Sequence, residues 1–135
     1  MNQEFWVFRQ FLDRIPNINR GGCAYAALAM YKLGKRLGMN VHIMFLYCDR
    51  VDYTTNSLAF NGVDDPCECM HACVTIDNEA YDSHKWVPVR IYSYQHFVPE
   101  ELAIKAIRHG KWNTEFDKAR YVPEIESVLG EKLLN

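Results

Sequence analysis

Near the start of the chain, apolar residues recur at spacings of three and four, at Phe5, Phe8, Leu12 and Ile15. The pattern predicts an amphipathic helix lying over a core and ended by Pro16. After the polar break at 17–22 (NINRGG) the pattern changes. Cys23 to Leu37 reads as a second helix in which Ala24, Ala26, Ala27, Leu28, Ala29, Met30, Tyr31 and Leu33 cover every side of the wheel. Lys35 and Arg36 fill its last turn and Gly38 stops it. A helix with no polar face belongs at the centre of a fold. Val41 to Cys48 (VHIMFLYC) is short, apolar and rich in branched and aromatic residues, the pattern of a buried strand. Asp49 to Pro66 is polar and turn-rich, a long connection of the kind that often borders a cleft.

Cys69 to Ile76 and Ala80 to Ser83 flank Asp77-Asn78, two residues that tolerate positive φ and suit a tight hairpin. Trp86 to Phe97 reads as a further strand. Pro99-Glu100-Glu101 opens a helix running to about His109, and Pro123 to Leu134 forms a last short one. The order helix, helix, strand, hairpin, strand, helix, helix, without repeats or a linker, predicts one α+β domain over 1–135. Its antiparallel sheet packs on a central buried helix with flanking helices.

Composition narrows the class. With 135 residues, 49% hydrophobic and 24% charged, the chain is large enough to bury a core without disulfides or a structural metal. A net charge of -2 argues against a nucleic-acid partner, which takes a surplus of Lys and Arg on one face. No run approaches the ~18 apolar residues of a membrane span, and Arg9 interrupts the N-terminal apolar residues early, so neither a membrane partner nor a signal peptide is expected. The expected location is cytoplasmic. Five cysteines, an odd number without a regular framework, then read as reduced thiols, which leaves thiol chemistry and metal binding both open.

Cys23 follows Gly21-Gly22 at the first turn of the second helix, where unpaired N–H groups and the positive end of the helix dipole favour a thiolate. The glycines let a substrate backbone approach, and the Cys23 amide is oriented to donate to an oxyanion. Position alone leaves an ordinary buried thiol equally open. A nucleophilic Cys needs a His as acid and base and a third group to orient the imidazole. A two-residue turn at Asp77-Asn78 pairs Ile76 with Glu79, Thr75 with Ala80, Cys73 with Asp82 and His71 with His84. That register places His71 and Asp82 as diagonal neighbours on one sheet face, roughly 7–8 Å apart at Cα. A slip of one residue would separate them.

Gly21-Gly22-Cys23-Ala24-Tyr25-Ala26-Ala27 resembles the nucleophile segment of the transglutaminase-like branch of the papain-fold cysteine enzymes. His71-Ala72-Cys73-Val74-Thr75-Ile76-Asp77, continuing to Tyr81-Asp82, is similar to that family's His-Ala-Trp-Val hairpin, with Cys73 standing where the family usually has an aromatic residue. The resemblance covers about Asn19 to Asp82. It implies a papain-like (transglutaminase-like) core and attack on the amide carbonyl of a peptide or protein substrate. Cys23 would be the nucleophile, His71 the proton shuttle and Asp82 the group that holds His71, with no cofactor and no metal. Asn19-Arg20-Gly21-Gly22-Cys23 is also similar to the nucleophile segment of the arylamine N-acetyltransferases, a related fold, with one intervening residue missing. A second oxyanion donor beside the Cys23 amide is expected among Asn17, Asn19 and Gln10. Asn17 is favoured because it precedes the nucleophile by about the distance at which papain-like enzymes place their Gln.

Two rival readings stand beside this one. The first is a non-catalytic binding domain of the same fold. The second is a zinc module using Cys67, Cys69, His71 and Cys73, whose soft ligands stand at every second position. Strand geometry counts against the second, because four such side chains on one face span roughly 20 Å and do not converge on one ion. A loop at 67–70 that joins Cys67 and Cys69 to His42 or His84 would keep it open.

Overall fold

Asn2 opens the first helix: its side-chain oxygen accepts from the Phe5 N–H at 3.1 Å, satisfying one of the donors that a helix start leaves over. In this computed structural model, which describes residues 2–47, 71–92, 94–109 and 114–134, helix α1 spans Gln3–Asp13. It buries Phe5, Phe8 and Leu12, and Ile15 follows, buried, in the turn beyond it. Helix α2 spans Cys23–Arg36, and every residue from Cys23 to Met30 is buried. Strands β1 (Val41–Tyr47), β2 (His71–Ile76), β3 (Glu79–Tyr81) and β4 (Tyr94–Val98) follow, with helices α3 (Glu100–His109) and α4 (Lys118–Leu129). The described strands form one antiparallel sheet in the order β3-β2-β1-β4, so the fold is α+β as expected. No helix among the described residues is long and apolar enough to cross a membrane.

Helix α2 packs on β1 and β2 and also touches α1, α3 and α4, which is why it has no polar face to spare. Gly34 allows the contact with β1, because a Cβ there would stand 2.7 Å from a methyl of Val41. The main core gathers Leu28 and Met30 of α2, Val41, Ile43, Phe45 and Tyr47 of β1, and Ala72, Val74 and Ile76 of β2. Each large side chain so buried contributes about 1.5–3 kcal/mol of transfer free energy. The intervening positions Met44, Leu46 and Cys73 join Ala80 and Val87 in a smaller cluster. Both faces of β1 are therefore covered, as its unbroken apolar run requires.

The hairpin turn forms at Asp77-Asn78, both at positive φ (50° and 72°), and its register pairs Ile76 with Glu79 and Thr75 with Ala80 as read from the sequence. The expected continuation to Cys73–Asp82 and His71–His84 does not occur. The ladder ends at Val74–Tyr81, and the Asp82 N–H turns away to donate to the Lys85 carbonyl at 3.0 Å. Trp86 to Phe97 is not one strand either. Trp86 makes an isolated bridge to Tyr81, Val89–Ile91 is a 3-10 turn, and pairing with β1 begins only at Tyr94. The last helix starts earlier than Pro123. Asp117 caps it by accepting from the Arg120 N–H at 3.2 Å, Pro123 lies within it, and Gly130 ends it in the left-handed conformation (φ 87°). Asp49 to Pro66, with Cys48, Cys67, Cys69 and the proposed start of β2 at Cys69, lies outside the described residues.

Candidate active site

A chain of turns leads from α1 into α2 and decides how Cys23 is presented. Asn17 takes a left-handed conformation (φ 61°) and Gly21 stands at φ 108°, which side chains with a Cβ rarely adopt. Gly22 is required by proximity. A Cβ there would lie 2.7 Å from the Ile18 carbonyl oxygen and 2.8 Å from the Phe116 ring. Gly22 is the N-cap and brings no side chain to the helix start, so no side chain caps the first-turn N–H groups around Cys23. Cys23 itself is 4% exposed.

His71, the first residue of β2, meets Asp82 beyond the end of β3. Its Nε2 donates to Asp82 Oδ2 at 3.1 Å, and Cys23 lies close enough to the same imidazole to bear on its protonation. The structure thus brings Cys23, His71 and Asp82 together. Because the hairpin ladder has ended, Asp82 reaches His71 from a tight turn rather than as a cross-strand neighbour. That turn fixes the carboxylate: Oδ1 accepts from the His84 N–H at 2.7 Å and the Lys85 N–H at 2.8 Å. A carboxylate with only 5% of its side chain exposed is costly to bury unless hydrogen bonds and charge compensate. Burial pushes the Asp82 carboxyl up, but the bonds from His71, Lys85 and His84 outweigh it and hold the group below the usual carboxylate range. His71 shows the mirror effect. Burial favours its neutral form, yet its bonds to Asp82 and Cys23 and the charges of both raise it from 6.5 to about 9. The adjacent Cys73 has no such partner. Burial, with Asp82 and Cys23 nearby, pushes its thiol up to about 12, which leaves it an inert neutral group.

A cleft of about 750 Å³ opens onto His71 and Asp82. Its lining includes the apolar Val87, Pro88 and Ile91 and the charged Asp13, Arg20 and Lys85. Asn17 and Asn19 also line it. Asn17 donates one amide hydrogen to the Glu115 carbonyl at 3.1 Å, which leaves its second for the cleft. Asn19 donates to Ser83 Oγ at 3.0 Å, while its buried Oδ1 finds no partner among the described residues. Gln10, the third upstream amide, lies on α1. Of the zinc set, Cys67 and Cys69 lie outside the described residues. His71 and Cys73 are in place, the first committed to Asp82 and the second wholly buried.

Arg9 carried no role in the sequence reading beyond interrupting an apolar run, yet it touches the site. Its Nε donates to the Asp82 carbonyl oxygen at 2.7 Å. The signal available in the sequence was a second stripe on α1, Trp6, Arg9 and Asp13, at spacings of three and four beside the apolar one. Comparison of the chain with protein-family models, with curated proteins and with solved structures finds no match.

Proposed function

We propose that the chain is a papain-like, transglutaminase-like thiol enzyme that cleaves or transfers the acyl group of a peptide or protein amide through a thioester on Cys23. The observation that carries this reading is one imidazole hydrogen-bonded to a buried carboxylate, with a cysteine at a helix start close enough to act on its protonation. An imidazolium so placed favours the thiolate. The Cys23 sulfur attacks the amide carbon, and the carbonyl π electrons move to oxygen, where the Cys23 N–H and the free hydrogen of Asn17 Nδ2 receive the charge. As the C–N bond breaks, His71 gives its proton to the departing amine. Water then loses a proton to His71 and attacks the thioester, releasing the carboxylic product and restoring the thiolate and imidazolium. An amine in place of water gives transfer. Asp82 keeps a proton on Nε2 and so orients the imidazole.

Iodoacetamide at pH 5.5 tests the reading. Cys23 is expected to be alkylated selectively over Cys73, and His71→Ala to abolish that selectivity. Uniform slow labelling of every thiol would leave a binding domain of the same fold. A stoichiometric metal that is lost in Cys67→Ser and Cys69→Ser would favour the zinc module. The oxyanion role is tested at Asn17, where glycine accepts the positive φ. Asn17→Gly is expected to slow acylation by p-nitrophenyl acetate by about 10²–10³-fold with iodoacetamide labelling unchanged. Equal effects on both reactions would assign Asn17 to the fold alone.

A further inference from the structure

Helix α1 turns two faces inward. Phe5, Phe8 and Leu12 fill the core, and Trp6, Arg9 and Asp13, one helical step around, meet the segment that carries Asp82. The correspondence runs residue by residue. The Trp6 ring stands edge-on to Tyr81 with centroids 5.3 Å apart, Arg9 bonds the Asp82 carbonyl, and Asp13 Oδ2 pairs with His84 Nδ1 at 3.2 Å. The Arg9 guanidinium lies 4.7 Å from the Trp6 ring centroid and 5.4 Å from that of Tyr81, held by both aromatic faces. Its planar fork, unlike an ammonium, makes a directed bond from such a position.

Every other polar atom of Asp82 is satisfied from within its own hairpin. The N–H goes to Lys85, Oδ1 takes the His84 and Lys85 amides, and Oδ2 takes His71. Among the described residues only the carbonyl is held from outside, and it is held by a cation. We propose that Arg9 is a positioning residue for the thiol chemistry inferred above, clamping the Asp82 main chain so that its carboxylate stays aimed at His71. The clamp is needed because the β2–β3 ladder ends one residue before Asp82, so sheet hydrogen bonding no longer fixes this part of the chain. It also ties the reactive turn to α1, the element that precedes the Asn17–Gly22 turns and Cys23, so both halves of the site share one support.

The inference rests on the reading of Cys23, His71 and Asp82 as a catalytic set, and a double-mutant cycle on the full chain separates the two. The readout is the rate of p-nitrophenolate release as Cys23 is acylated by p-nitrophenyl acetate. Arg9→Met keeps the apolar stem against Trp6 and removes the donor. It is expected to slow acylation by about 10–10²-fold, the scale of a small misplacement of a catalytic group. Arg9→Lys, which keeps the charge without the fork, is expected to fall between. In an Asp82→Asn background, Arg9→Met is expected to add less than a further twofold, because the group it acts through is already disabled. An unchanged rate in Arg9→Met, or the same fold-loss with and without Asp82, overturns the clamp. Should Arg9→Met fail to fold, the cycle is run with Arg9→Lys under the same two criteria. A wild-type chain whose Cys23 does not react defeats the functional reading itself, a separate result from either.

Discussion

Asp82→Asn is expected to lower the rate of Cys23 acylation by p-nitrophenyl acetate by up to about 10⁴-fold while the chain remains folded. The substitution is close to isosteric, and most of the turn survives it. An amide oxygen still accepts from the His84 and Lys85 N–H groups, and the Arg9 bond goes to the main-chain oxygen, which the change does not touch. What inverts is the contact with His71. A carboxylate at 3.1 Å from Nε2 requires a proton on that nitrogen, whereas an amide N–H in the same place requires a lone pair there. The neutral imidazole then carries its proton on Nδ1, the wrong tautomer for taking a proton from the thiol. The raised proton affinity of His71 goes as well, since Asp82 is among its principal sources. Far-ultraviolet circular dichroism and an unfolding midpoint check that the fold is intact. A loss below about tenfold in a folded variant would show that Asp82 does not govern the imidazole.

The fold was legible where local signals agree. Helix α2 announced itself through alanines on every side, β1 through an unbroken apolar run, and the hairpin through Asp77-Asn78, whose tolerance of positive φ is realised at both positions. Two differences between the expected and observed elements come from prolines. Pro123 reads as a helix start, yet Asp117 is the cap, and the proline sits within α4 on its exposed side. Pro88 lies within Trp86 to Phe97. A residue with no N–H to give the ladder breaks that apolar run into a bridge, a 3-10 turn and β4.

The site divides in the same way. Cys23 and His71 were visible as residue types in a familiar order, and the hairpin brought Asp82 within reach. The manner of contact was not visible, because alternation along a strand cannot show where a ladder ends. Asp82 works from a turn that its own side chain organises, a feature set by the amides of His84 and Lys85 rather than by periodicity. Arg9 was hidden for another reason. A charged residue on an amphipathic helix is ordinarily solvated, and only the tertiary approach of Tyr81 and Asp82 gives it partners.

Stability is expected to fall by about 3 kcal/mol as pH rises from 6 to 9.5, and the fall is expected to be largely absent in His71→Gln. His71 titrates near 6.5 in an unfolded chain and at about 9 in the folded one. Between those values the native state holds a proton that the unfolded state has released, so each unit of pH costs about 1.4 kcal/mol until His71 deprotonates in both states. The contribution is complete below 6.5 and gone above 9. Asp82 acts at the other end. Its folded value lies below 3.8, so its contribution is present above that point and is lost as pH falls through the folded value. The two define a plateau from about pH 4 to 6.5, with the alkaline side set by an ion pair that is also the proposed catalytic apparatus. Urea unfolding at pH 6 and 9.5 measures the difference, and the His71→Gln comparison subtracts the titration of other groups. Equal stability of the wild type at the two pH values would mean that folding leaves the net proton count of this cluster unchanged: either His71 is not held protonated by its neighbours, or the proton it holds has come from Cys23.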